Sequence, residues 1–272
     1  MKRLVQKIRE IFQIEDLRVK IINTLMLVAI YRLGSYVIIP GVDSNALAQA
    51  QEAASQSGGN GITDLLNIFA GGAFSRASIF ALGIMPYISA SIVVQLLGMA
   101  IPYFQRLQKE GESGRRKMNQ ITRFLTIAIV AFQAPGYIAS QITRYQGVVP
   151  NDGFLWWFTT VILLIAGTMF VMWLGERITE KGIGNGISLI IMIGIISRLP
   201  FAFVSEFVAK TTSGGIVMLV IELAFLLGVI LVSILLVQGT RRIPVQFAKR
   251  VVGNRQYGGV RQYIPIKVNA AG

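Results

Sequence analysis

The chain has 272 residues, of which 53% are hydrophobic and only 14% charged, with a net charge of +13 and a mean hydropathy of +0.60. Soluble domains carry about 25% charge, so an ordinary soluble domain is excluded and a polytopic helical membrane protein is indicated. Cysteine and histidine are both absent, which excludes disulfides, thiol chemistry and imidazole metal sites and removes most enzyme mechanisms.

Residues 1–20, MKRLVQKIREIFQIEDLRVK, are basic and amphipathic, and no small-residue cleavage site precedes the apolar run that follows. They read as a cytoplasmic surface helix, not a removable signal peptide. Roughly 20 apolar residues span the ~30 Å hydrocarbon core, and six windows qualify, at 19–39, 77–99, 121–142, 154–174, 185–204 and 215–238. The first contains Arg32 and stops at Pro40-Gly41. An arginine inside a span is costly, and two readings stay open: a functional group, or a side chain that snorkels to the outer interface. Residues 43–61, small and polar, read as an external loop.

The stretch FAGGAFSRASIFALGIMPYISASIVVQLLGM, residues 69–99, is apolar enough for a membrane yet carries Gly71-Gly72, Ser75-Arg76, Gly83 and Pro86. Thr63 or Ser75 can each cap a helix, so the expectation is a short helix at about 63–70 and a full span from about 76. Non-helical backbone at membrane depth is tolerated only where protein or a water-filled cavity surrounds it. The glycine pair therefore implies a re-entrant segment; the alternative is that residues 62–75 lie at the outer interface.

Residues 100–120 read as a basic cytoplasmic loop, and Pro135-Gly136 predicts a kink or an end of span three near its outer side. Span four has Trp156-Trp157 at one end and Trp173 at the other, an aromatic belt at both interfaces. Gly182, Gly184 and Gly186 superficially suggest a phosphate loop, but no strand precedes them and the spacing is wrong; a tight turn with close packing explains them better. Span six is aliphatic apart from Glu222. In the tail from Gly239, Ile243, Val245 and Phe247 alternate with Arg242, Pro244 and Gln246, which predicts a projecting hairpin-like loop. It holds seven basic residues and no acidic one, suiting an acidic or RNA-bearing partner. The chain reads as incomplete, stopping at VNAAG as though another apolar segment should follow.

Of the 26 basic residues, 21 fall in residues 1–20, 106–123, 177–181 and 241–267, which share one side if the spans alternate. The positive-inside rule then places both termini in the cytoplasm, and contact with anionic lipids accounts for much of this charge.

GGAFSRASIFALGIMPYISASIVVQLL, EKGIGNGISLII and RRIPVQFAKR followed by YIPIKVNAAG closely resemble the SecY family, the large subunits of the bacterial protein-conducting translocon. The likeness runs from about Arg18 to Gly272. It implies an all-α polytopic membrane protein: a transmembrane helix bundle of inverted-repeat SecY type, with one re-entrant plug helix and the hairpin-like cytoplasmic loop. The chain would supply an N-terminal segment (1–20), helices one to five (21–204) and the sixth helix with its loop (205–272).

The resemblance makes residues 62–75 the plug, carried on Thr63, Asp64, Leu65, Leu66, Asn67, Ile68, Phe69, Ala70, Gly71 and Gly72. It places pore-ring side chains at Ile84, Ile88, Ile187 and Ile191, two i, i+4 pairs, each on one helix face. Branched aliphatic side chains suit a narrow dewetting constriction. Gln95 and Gln133 would line a lateral gate or act as interhelical glue. Arg241, Arg242, Lys249 and Arg250 would dock the SecA motor or the translating ribosome. Further implied partners are the small subunits SecE and SecG, signal sequences and unfolded preproteins, in the bacterial inner membrane. No cofactor and no enzyme activity is expected. The rival reading is a secondary transporter, for which Arg32 and Glu222 are the only ionisable candidates.

Overall fold

The computed structural model describes residues 12–56, 66–212, 215–245, 250–252, 255–257 and 262–268. In chain order its helices are α1 (Glu15–Gly34), α2 (Ser44–Gln56), a helical turn over 66–69, α3 (Met85–Ala100), α4 (Pro102–Lys109), α5 (Glu112–Tyr137), α6 (Phe154–Lys181), α7 (Gly186–Ile196), α8 (Leu199–Thr212) and α9 (Ile216–Gln238). The strands are β1 (Thr240–Val245), β2 (Arg250–Val252), β3 (Arg255–Tyr257) and β4 (Gln262–Lys267). Among the described residues, four helical segments are long and apolar enough to cross a membrane: Glu112–Ile142, Phe154–Lys181, Gly186–Thr211 and Ile216–Gln238. α3 and α4 make a fifth if a pair bent by 99° counts as one. α1 is as long as a span but carries Glu15, Asp16, Arg18, Lys20 and Arg32. It ends at Gly34, short of the expected 39.

The chain divides into two compact units, Met1–Pro200 and Phe201–Gly272. In the first, α6 packs against α1, α5 and α7, and α5 against α3. Its buried face, which includes Leu164, Gly167, Val171, Leu174, Gly175 and Ile178, recurs at helical spacing. Its small residues let backbones approach closely, the usual basis of helix packing where lipid removes the hydrophobic drive. α7 answers with Gly186, Ile190 and Gly194, one every four residues. The glycine-rich turn before it is a tight connection: Asn185 caps α7, its side-chain oxygen accepting from the Ile187 and Ser188 amides at 3.1 and 3.4 Å. The Thr24 hydroxyl accepts from the Ile183 amide at 3.1 Å, tying α1 to this turn.

Three expectations are corrected. Residues 43–61 are not simply a loop, because Ser44–Gln56 is helical. The Asp43 carboxylate accepts from the Asn45 and Ala46 amides at 2.9 and 3.2 Å, and the Ala, Gln and Glu that follow are good helix formers. Residues 100–120 are mostly helix as well: Pro102 starts α4, Gly111 at φ +71° breaks it, and the polar Glu112–Gln120 run is the first third of α5. Where Pro135-Gly136 predicts a kink or an end, α5 gives up α-helical geometry after Tyr137 and widens into a π-helical turn, Ile138–Ile142, a local irregularity of the kind that bends helices.

The expected full span from about 76 is also corrected. α3 starts only at Met85, with Pro86 in its first turn, and Ser75 caps no helix. Residues 70–84 form a non-helical strap. Ala77 at φ +49° leaves the helical region, and the strap pairs instead with the chain leaving α1. The Ile39 amide donates to the Ala77 carbonyl and the Ile79 amide to the Val37 carbonyl, each at 2.9 Å. The fully buried Ser78 hydroxyl donates to the Gly34 carbonyl at 3.2 Å. These bonds pair backbone groups that the non-helical strap cannot satisfy within itself. The strap passes so close to α6 that a methyl group on Gly167 would overlap the Ile79 carbonyl.

In the second unit, Lys210 sits between Glu206 and Glu222, at 3.4 and 3.1 Å. α9 has no buried residue and, apart from Glu222 near its start, is apolar on every face, the pattern of a helix surrounded by lipid or other helices. Beyond it β1 pairs with β4 and β2 with β3, both antiparallel, a nested hairpin as the alternation predicts; Phe247 lies outside the described residues.

Candidate functional site

A cavity of about 320 Å³ opens between the strap, α1, α5 and α7. Leu66, Phe69 and Ala70 line it from the strap side, Gln133 and Tyr137 from α5, and Ile190 and Ile191 from α7. The expected plug therefore borders the cavity through its described part; Thr63, Asp64 and Leu65 lie outside the described residues.

Local bonds fold the segment 66–75 on itself. The Asn67 side-chain oxygen accepts from the Ser75 hydroxyl at 2.8 Å and the Ser75 amide at 3.2 Å, and the Gly72 amide donates to the Asn67 carbonyl at 2.9 Å. Gly71 and Gly72 sit at φ +61° and +87°, a left-handed pair that residues with a Cβ adopt only at a cost. Two outside groups hold the fold in place. The Tyr137 hydroxyl donates to the Phe74 carbonyl at 2.7 Å, with the two rings edge to face at 4.9 Å. The Gln51 amide of α2 donates to the Ser75 carbonyl at 2.9 Å.

The four isoleucines come together. Ile84, 5% exposed, belongs to a buried cluster with Tyr31, Phe80, Leu174 and Ile190, against which Ile88, Ile187 and Ile191 pack. Ile84 is the residue before α3, and the Ile88 amide donates to its carbonyl at 3.1 Å, which puts both on one turn. Ile84 and Ile191 line the cavity, whereas Ile187 lies over Gly175 of α6. Gln133 faces the cavity; Gln95 is exposed and makes a long 3.5 Å bond to Ser91 on its own helix. Arg32 has a protein partner, donating to the Gly71 carbonyl at 3.4 Å, and Glu222 is paired with Lys210.

Arg241 and Arg242 are both exposed, but as neighbours on β1 they point to opposite faces of the hairpin. Arg241 shares its face with Ile243, Ile264 and Ile266, and Arg242 with Pro244, Tyr263 and Pro265. Lys249 and the Arg250 side chain lie outside the described residues.

Residues 78–272 match the SecY family model. The chain belongs to the SecY family. It is 44% identical to the protein translocase subunit SecY of Streptomyces scabiei over 270 residues, 96% of this chain and 61% of that protein. The SecY of Escherichia coli K12 is 44% identical over 261 residues, 94% of this chain and 58% of that protein. The chain thus spans about three fifths of the length of these relatives.

Solved structures share the fold at low identity. A protein-conducting channel superposes with a TM-score of 0.57 at 18% identity, over 92% of this chain and 52% of that one. A SecY protein whose plug domain is described as stabilising the closed channel and maintaining a membrane seal gives 0.55 at 18%, with the same coverage. Sec61 from a canine ribosome-channel complex gives 0.53 at 18%, over 89% and 53%. The all-α SecY-type membrane fold is thereby established. Family membership gives no support to the transporter reading.

Sequence reasoning missed Tyr137 and Ile190 as cavity residues. Tyr137 follows Pro135-Gly136, where the helix widens; that irregularity was the available signal. Ile190 has no sequence signal that separates it from its aliphatic neighbours.

Proposed function

We propose that this chain forms one half of the wall of a protein-conducting channel in the bacterial inner membrane, with its N-terminus and basic hairpin in the cytoplasm. One observation supports the reading: a single cavity in a SecY-type fold is lined both by Leu66, Phe69 and Ala70 of the expected plug and by Ile84 and Ile191 of the expected ring. In this reading 62–75 is the plug. Ile84, Ile88, Ile187 and Ile191 supply half of an apolar ring that grips an extended chain without hydrogen-bonding to it. Gln95 and Gln133, on the packed pair α3 and α5, belong to a lateral gate wall through which apolar segments reach lipid. The small subunits SecE and SecG complete the complex, and anionic lipids neutralise its cytoplasmic charge. The SecA motor or a translating ribosome supplies the energy.

The full-length protein with its small subunits, reconstituted in vesicles, is expected to carry an unfolded secretory precursor to a protease-protected lumen when given the motor ATPase. Vesicles that leave the precursor fully digestible, while the Escherichia coli counterpart protects it, would overturn the reading.

Docking uses Arg241, Arg242, Lys249 and Arg250, and the two faces of β1 make a finer expectation. A partner seated on one face feels one arginine more than its neighbour, so Arg241→Glu and Arg242→Glu are expected to weaken motor or ribosome binding unequally. Binding measured at physiological salt separates the two variants, since distant charges are screened there; equal and unchanged affinities would remove the hairpin from the docking surface.

A further inference from the structure

Three arginines from three parts of the fold converge on the plug's hinge. Arg76, in the strap, donates from Nη2 to the Gly71 carbonyl and from Nε to the Gly72 carbonyl, both at 3.0 Å. Arg32, from α1, donates to the same Gly71 carbonyl at 3.4 Å. Arg198, between α7 and α8, brings a guanidinium nitrogen within 2.9 Å of where a Gly72 Cβ would sit. Tyr36 stacks beneath the group, its ring centre 4.3 Å from the Arg76 guanidinium carbon and 5.9 Å from that of Arg32. On the remaining side the hinge lies against Gly194 of α7, whose carbonyl is 3.1 Å from the Cβ position of Gly71.

We infer that Arg76 and Arg32 form a clamp that holds the plug shut by the backbone carbonyls of its Gly71-Gly72 hinge, with the Arg198 guanidinium packed against Gly72. Charge-assisted bonds to carbonyls are strong, and a planar guanidinium can span two of them. The acceptors are main-chain atoms, so the grip does not depend on the plug's side chains. The guanidiniums also repel one another, and the hinge carbonyls between them offset that repulsion in the closed arrangement. The clamp fixes how readily the plug opens, a positioning role for residues remote from the isoleucine ring.

This inference rests on residues 62–75 being the plug, and the test separates the two ideas. Cysteine is absent from these 272 residues, so Ala70→Cys supplies a single thiol in a full-length complex in which every other cysteine is replaced by serine. Ala70 is 7% exposed and borders the cavity, which leaves room for a sulfur. Its reaction with a membrane-impermeant maleimide added outside reports plug opening. Arg76→Gln and Arg32→Gln are expected to raise the resting rate about tenfold or more, the scale of one lost charge-assisted bond. Arg76→Lys, which keeps the charge but loses the fork, should give a smaller rise and serves if a glutamine variant fails to fold. A rate that rises when a precursor is trapped in the channel but is unchanged in all three variants overturns the clamp alone. A rate that does not respond even to a trapped precursor overturns the plug reading and the clamp with it.

Discussion

Deletion of residues 64–72 from the full-length channel is expected to turn a sealed membrane into a leaky one. The segment to be removed includes Leu66, Phe69 and Ala70, which border the cavity, and the hinge glycines. If the open form is populated at about 0.1–10% at rest, losing the closure should raise resting ion flux by roughly 10- to 1000-fold. Single-channel recording or dye release from vesicles measures this directly. Fold stability should change little, because the paired strap beyond Ala73 remains: the Ile39–Ala77 and Ile79–Val37 bonds do not involve the deleted residues. Flux no higher than in the unaltered complex, with the protein folded, would mean that this segment seals nothing.

Polar replacement in the isoleucine cluster is the second large effect. Ile191→Ser should raise resting conductance while leaving stability nearly intact, since Ile191 is only partly buried and borders the cavity. A hydroxyl in a dewetting constriction gives water a partner and lowers the barrier to ions. Ile84→Ser should leak too, but it also removes a side chain that is 5% exposed and packed against Tyr31 and Phe80. Truncating such a residue costs about 2–5 kcal/mol, so its thermal unfolding should move well below that of Ile191→Ser. The contrast between the variants separates a gating role from a packing one. If Ile191→Ser conducts no more than the unaltered protein, the ring is assigned to the wrong residues.

Ala77 and Ser75 show how a local signal was misread. Residues 76–84 are apolar and, next to α3, look like its first turns; nothing in their composition forbids helix. What prevents it is the bridge to residues 37–39 and the close passage over Gly167, which hold Ala77 at φ +49°. The arginines are a parallel case. Arg32 stood out as an isolated charge in an apolar window, whereas its meeting with Arg76 and Arg198, 44 and 166 positions away, follows only from how α1, the strap and α7 pack.

Hydropathy windows, the glycine pair at 71–72, the alternation after Gly239 and the SecY-like motifs were readable directly, because each depends on composition or on spacing within one segment. The amphipathic period of a helix and the two-residue period of a strand are local properties of the chain. Which face of α6 meets α1, α5 and α7, where the strap leaves helical geometry, and which carbonyls the arginines reach depend on contacts between residues far apart in sequence. Those contacts exist only once small residues such as Gly167, Gly175 and Gly194 have let neighbouring backbones close to contact distance, and that is why tertiary structure alone decided the site.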